Sequence, residues 1–249
     1  MTVLCYHAVD PDWSAPISVH PQEFAAHGAW LARRRRVLPL DLVIGSRSSG
    51  GTGRGRDIAV TFDDGFASIF DHAFPVLMRH AIPATLFVVA GTLVNGGREV
   101  DWVDRPPPAG PPRTLSRSQV LEMRDAGVRF GSHSLVHADL TRLGDDECER
   151  DLRESRLVLE ELIEGPVPFL AYPRGRHDAR VRRAAERAGY THAFGLPDGR
   201  EGVDRYSIPR VGVYHANRIR TLRIKTSPMY LPLRSRIGAA RRPSTSLER

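Results

Sequence analysis

The chain has 249 residues, 41% of them hydrophobic, which suits one large core or two small ones; 22 Gly and 19 Pro supply many turns without reaching a disordered composition. The formal charge of +7 is almost entirely scattered arginine, with no zinc finger, aromatic-plus-basic RNA motif or long basic helix, and this argues against nucleic acid as a partner. No run approaches the ~18 apolar residues of a membrane span, and Cys5 and Cys148 make neither a disulfide framework nor a CxxC pair.

In chain order, Thr2 to Tyr6 reads as a strand. No basic leader or long apolar stretch precedes it, so a cytoplasmic location is expected, with peripheral membrane association left open. Pro21 to Arg35 reads as a helix with Pro in its first turn. Ser46 to Arg56, rich in Gly, Ser and Arg, reads as a loop. Asp57 to Phe62 is a strand, Phe66 to His80 a helix and Ala84 to Val89 a strand. The prolines between Asn95 and Pro112 forbid regular structure. Ser116 and Gln119 form a capping-box pattern for a helix that Gly127 stops. Val128 to Gly131 is a strand, Asp145 to Glu164 a long helix, and Pro168 to Tyr172 a strand. Asp178 caps a helix running to Ala188. Thr191 to Phe194 and Ser207 to Val213 are extended. Residues 1–230 read as one domain, and 231–249 as a basic, flexible tail.

The β-α alternation predicts a parallel sheet. His7, Asp63-Asp64, His133 and the Tyr172-Pro173-Arg174-Gly175 turn all follow the C-terminal ends of separate strands. A barrel gathers those ends on one face, where an open sheet would spread them along a line. His133 and His137 are four apart, and on a helical turn both rings reach one ion. That spacing alone is weak. Asp63 and Asp64 strengthen it, because two unpaired carboxylates after an apolar strand are costly unless a cation is present. In a turn the two point apart, so one carboxylate can bind a metal while its neighbour faces water.

Thr61-Phe62-Asp63-Asp64-Gly65 and His133-Ser134-Leu135-Val136-His137 resemble the first two motifs of the polysaccharide deacetylases, the NodB-like carbohydrate esterases. Tyr172-Pro173-Arg174-Gly175 resembles the third motif in one branch, and the likeness runs from about residue 1 to residue 230. It implies a distorted (β/α) barrel with fewer than eight strands, forming a single domain. It also implies one divalent metal held by Asp64, His133 and His137, with Asp63 as general base. Zinc is the first choice of metal; cobalt, nickel and manganese also suit the ligands. The activity expected from it is removal of acetyl groups from an N-acetylhexosamine-containing glycan or glycan precursor, with the leaving amine protonated by an acid.

In many relatives that acid is a histidine in a late Leu-x-His motif. Leu4-Cys5-Tyr6-His7 resembles that motif moved to the first strand, as in the circularly permuted branch, so His7 is the expected acid; His215 is a looser match. An arginine that orients the base in many members is replaced here by Ala171, and Arg210 is a candidate substitute from another strand. Tyr172, Pro173, Arg174 and Arg210 are the expected substrate-side residues. Trp102 is a further candidate sugar platform, and Arg33 to Arg36 reads as the solvated end of a helix. Three other readings compete: a carbohydrate-binding protein with an impaired site, an O-deacetylase on the same scaffold, and a non-haem iron oxygenase with a two-His-one-carboxylate triad. The β-α alternation speaks against the last of these.

Overall fold

The structure is a computed structural model that describes residues 1–48, 57–94, 96–197 and 204–233. Strand β1 (Thr2–Tyr6) is followed by a short parallel pair off the main sheet, β2 (Ala8–Val9) and β3 (Ser18–Val19). Helix α1 (Pro21–Arg34), β4 (Arg36–Val37) and helix α2 (Leu40–Ser48) lead to β5 (Asp57–Phe62). Then come α3 (Phe74–Arg79), β6 (Ala84–Val88), α4 (Arg117–Asp125), β7 (Arg129–Ser132), α5 (Asp145–Ile163), β8 (Phe169–Ala171), α6 (Ala179–Arg187) and β9 (His192–Gly195). β10 (Ile208–Pro209), β11 (Val211–Gly212) and α7 (Ile219–Lys225) complete the set.

The strands pair in parallel in the order β10-β9-β8-β7-β6-β5-β1-β11, with β4 beside β5. β10 and β11 are pieces of one extended stretch interrupted by Arg210. Ile208 pairs with Phe194 on β9, and Val211 pairs with Leu4 on β1. One stretch therefore hydrogen-bonds both ends of the sheet and closes it into a barrel. Counted as a single stave, it makes seven along that closed order, with β4 off the path beside β5, the architecture of a distorted (β/α) barrel.

Every residue of β1 and β5 is buried, because the barrel interior lies on one side and helices on the other. Side chains alternate between the two. Leu4, Tyr6, Ile58, Val60 and Phe62 pack outward against Phe24 and Leu31 of α1. Val3, Ala59, Phe87, Phe169, Phe194 and Ile208 cluster together inside. Gly131 leaves space for Phe87, whose ring would lie 2.6 Å from an added Cβ. Leu40, Val43 and Ile44 of α2 join the interior cluster and plug the N-terminal end of the barrel.

Several elements differ from the sequence expectation. α2 continues through Ser48, three residues into the expected loop; the rest of that loop, 49–56, lies outside the described residues. The helix expected from Phe66 starts later, as a wide turn over Ile69–Ala73 that runs into α3. Gly65 and Ala67 are bonded to Leu115 and Arg113 instead of opening a helix, and Pro75 offers no N–H to a regular ladder. The capping box at Ser116 and the Asp178 cap form as read. α7 was not anticipated, since no side chain caps it. Residues 230–233 make a helical turn, and 234–249 of the expected tail lie outside the described residues.

Candidate active site

The C-terminal ends of β5 and β7 carry the chemistry. After Phe62 the backbone bends left-handed at two successive residues, Asp64 (φ 66) and Gly65 (φ 67). Asp tolerates that region better than most residues, and Gly adopts it freely. A Cβ at Gly65 would lie 2.9 Å from Val88, so the turn requires glycine on both counts. The bend separates the two carboxylates. Asp63 points into the barrel and Asp64 into the open mouth.

His133 follows β7, with its N–H donated to Val88 O. The helical turn expected to align His133 with His137 is absent. Ser134 (φ 69) and His137 (φ 58) are both left-handed, and the residues between them form an irregular loop. Local bonds hold this costly shape. Ser134 N–H donates to Ser132 Oγ (3.1 Å), His137 N–H to Ser134 Oγ (2.9 Å), and Leu135 N–H to Asp151 Oδ1 (3.0 Å). From the other side Gly91 N–H donates to Leu135 O at 2.8 Å.

Asp64 Oδ1 lies 3.5 Å from His133 Nε2 and 3.1 Å from His137 Nε2. Three ligands about 2.0–2.1 Å from one ion in tetrahedral array are roughly 3.3 Å apart, so the spacing suits a shared cation. Asp64 Oδ1 is buried without a hydrogen bond, as a metal-facing atom would be. His133 Nδ1 bonds Ala171 O at 2.8 Å, which leaves its Nε2 lone pair toward Asp64. These residues therefore fit the divalent metal that the motifs imply. Burial alone would raise the Asp64 carboxyl; the two imidazoles outweigh it and hold Asp64 well below the usual carboxylate range.

Asp63 is gripped from inside the barrel. Arg210 Nη1 and Nη2 donate to Oδ1 and Oδ2, each at 2.6 Å, and Cys5 Sγ lies 3.4 Å from Oδ2. Burial pushes Asp63 up, but the Arg210 charge, with help from His133 and His7, brings it below its ordinary value. Cys5, His7 and Asp63 each place a donor atom within 4.8 Å of the others. Arg210 occupies both Asp63 oxygens, which argues against a second cation there.

The mouth is a cavity of ≈ 540 Å³. His7, Asp64, His133 and His137 line its chemical side; Trp13, Ile17, Trp102, Leu196 and Tyr214 line its apolar walls, and Arg174 and Arg105 also face it. Trp102 stacks on His137, with centroids 4.7 Å apart and planes at 19°. His215 does not line this cavity. Its side chain is exposed, with Nδ1 3.3 Å from Ser18 O.

Three expected substrate-side residues are corrected. Tyr172 is fully buried and its hydroxyl donates to Tyr206 O at 2.9 Å. Pro173 is buried beside it, outside the cavity wall. Arg210 has no exposed surface and lies behind Asp63, so it can reach that carboxylate but not a sugar. Only Arg174 of the four faces the cavity. Trp13, Arg105 and Tyr214 were not anticipated, because nothing in the sequence marks loops that fold over a distant strand end. Asp151 was also missed; its helical position carries no motif.

Asp151 yields a prediction. Burial pushes its carboxyl up to about 6, against the pull of the Leu135 and Val136 N–H groups. A carboxyl raised by folding gives stability that is whole at low pH and is lost as pH climbs from about 4 to about 6. Asp151→Asn keeps an acceptor for Leu135 but does not titrate, so the decline is expected to be absent from the variant and to appear in the wild-type-minus-variant stability difference. Asp151→Leu strands both N–H groups; it should cost about 1–3 kcal/mol and weaken divalent-ion binding about 10–100-fold. Denaturation across pH and chelator competition check the pair. Unchanged ion affinity in Asp151→Leu would refute the loop's dependence on this carboxylate.

Residues 50–193 match the family model described as polysaccharide deacetylase. A poly-beta-1,6-N-acetyl-D-glucosamine N-deacetylase of Staphylococcus epidermidis is 28% identical over 206 residues, covering 78% of this chain and 67% of the relative. A Streptococcus pyogenes deacetylase solved in complex with acetate has the same fold (TM-score 0.77, 21% identity), with 92% of this chain and 98% of that one covered. So does a polysaccharide deacetylase from Bacillus cereus (TM-score 0.71, 24% identity; 91% and 68% covered).

Proposed function

The chain belongs to the polysaccharide deacetylase family, and we propose that within it the protein is a metal-dependent hydrolase that removes acetyl groups from N-acetylated sugars of a glycan or glycan precursor. The observation that carries this reading is the meeting of Asp64, His133 and His137 beside a separate, ion-paired Asp63.

Asp64, His133 and His137 would hold a divalent ion, zinc first among those the ligands suit, and when bound it would supply Lewis acidity toward water and the acetyl carbonyl. Asp63, kept ionised by Arg210, accepts the proton of the attacking water. The backbone N–H at Arg174, at the cavity wall, is assigned to the developing oxyanion. His7 gives a proton to the sugar nitrogen as the C–N bond breaks. The products are acetate and the free amino sugar. Trp102 and Tyr214 offer apolar faces to the sugar ring.

Acetate release from N-acetylhexosamine oligomers with zinc, cobalt, nickel or manganese tests the reading. His7→Ala should lose about 10²–10⁴-fold in kcat, whereas His215→Ala should keep near wild-type turnover. If His215→Ala is the crippled variant, the acid has been misassigned. If no oligomer yields acetate with any of the four ions, the hydrolase reading is wrong.

No described helix is long and apolar enough to cross a membrane.

A further inference from the structure

The two imidazoles of the candidate metal set are held by different means. His133 Nδ1 bonds Ala171 O at 2.8 Å, and that bond fixes its ring. His137 Nδ1 is buried and has no hydrogen-bond partner among the described residues. What meets its ring is Trp102. The centroids lie 4.7 Å apart with planes at 19°, a stacked pair, whereas His133 and His137 are tilted at 56° with centroids 5.1 Å apart. Trp102 Nε1 is likewise buried without a partner, so no hydrogen bond turns the indole either. Face-to-face contact is left to set both rings.

The loop that carries Trp102 is anchored firmly enough for the indole to act as a stop. Val100 is buried, and its N–H donates to Pro112 O at 2.8 Å. Trp13 Nε1 donates to Arg105 O at 2.7 Å, and the Trp13 ring meets Phe66 edge-on, with centroids 5.3 Å apart. Leu115 N–H donates to Gly65 O at 2.7 Å. Gly65 and Phe66 follow Asp64 directly in the turn after β5. The same loop is therefore tied to the turn that aims Asp64 and lies flat on His137.

We propose that Trp102 is a positioning residue for the metal: its indole does for His137 what Ala171 O does for His133, keeping His137 Nε2 on Asp64 Oδ1 at the 3.1 Å that a shared ion requires. The role rests on the metal-dependent reading of Asp64, His133 and His137. It is separate from the use of Trp102 as a sugar platform. The imidazole takes one face of the indole, and a sugar can use only the other. A platform acts on substrate, whereas a positioning residue acts on the ion before any substrate arrives.

Zinc affinity, measured without substrate by competition with a chromophoric chelator, tests the role. Trp102→Leu is expected to weaken zinc binding about tenfold or more, as the loss of an outer contact to a metal ligand does. Trp102→Phe keeps a stacking face and should retain most of the affinity. In a His137→Ala background Trp102→Leu should cause no further loss, because the ring it steadies is gone; in a His133→Ala background its effect should persist. Unchanged affinity in Trp102→Leu, with only KM for the glycan raised, would leave Trp102 a platform and overturn the proposal. So would an equal loss in Trp102→Phe, or a loss in the His137→Ala background as large as in the wild type, which would trace the effect to the loop and not to the stack. A wild-type protein that takes up no zinc, cobalt, nickel or manganese overturns the metal-dependent reading itself. Zinc affinities that follow the expected pattern, with no acetate released, uphold the positioning role and overturn the hydrolase reading alone.

Discussion

Asp63→Asn is expected to lower kcat by about 10²–10⁴-fold while the protein still binds one divalent ion. The two carboxylates are adjacent in sequence, but the left-handed turn at Asp64 and Gly65 sends them to different partners. Asp64 faces the two imidazoles, and Asp63 faces Arg210. Ion stoichiometry should therefore survive the loss of Asp63, and KM should change less than kcat, because the proton is taken only as the transition state forms. Metal analysis and steady-state kinetics on the same preparation check both halves. A variant that keeps a tenth or more of wild-type kcat would remove Asp63 from the role of base; one that loses its ion would place Asp63 in the ligand set.

Arg210→Met should be the most destabilising single change in the site. It leaves a buried carboxylate with no counterion, which costs about 3–5 kcal/mol, and each kcal/mol shifts Tm by roughly 2–4 °C in a chain of this size. The catalytic effect has a definite sign. With the guanidinium gone, burial dominates and raises Asp63. The base is then partly protonated near neutrality, so kcat/KM should fall and recover as pH rises. The stability effect depends on pH in a related way. Asp63 is depressed by folding in the wild type, so its contribution is whole above about pH 4 and is lost only as pH falls through the depressed value. The stability gap between wild type and Arg210→Met should thus be smallest at low pH, widen as pH climbs past about 4 because the variant's raised carboxyl loses stability there, and level off only above that raised value. Arg210→Lys retains a charge but not the two-pronged contact, and should fall between. The double variant Asp63→Asn/Arg210→Met should regain stability over Arg210→Met without regaining turnover. A pH profile of kcat/KM in Arg210→Met that coincides with the wild type would show that Arg210 does not tune the base.

Much of this arrangement was legible in the residues because it rests on short-range rules. The apolar runs at Thr2–Tyr6, Asp57–Phe62 and Ala84–Val88 are strands because continuous burial in a parallel barrel demands such runs. Ser116 and Asp178 announce helix starts through hydrogen bonds within one turn. Asp64, His133 and His137 were visible as a set because they sit in distinctive motifs, although their geometry was misjudged. The HxxxH spacing suggested a helix, whereas two left-handed residues and the reach of Asp151 build the loop. What escaped depends on contacts between distant segments. α2 has little amphipathic signal of its own, and it is a helix because the open end of the barrel needs a plug. Tyr172 was read as substrate-side from the motif around it, but side-chain alternation turns it to Tyr206. Arg210 was read both as substrate-side and as the substitute for the arginine missing at Ala171; the structure buries it away from the cavity and pairs its guanidinium with Asp63. Trp13, Arg105 and Tyr214 reach the mouth on loops whose course no local pattern fixes.

The stave formed by β10 and β11 touches β1 on one side and β9 on the other, and it carries Arg210 between its two halves. That stave is therefore both the seam of the cylinder and the bearer of the counterion for Asp63. Any change that parts it from β1 or β9 would also draw the guanidinium away from that buried carboxylate, so opening the ring and stranding the Asp63 charge are one event.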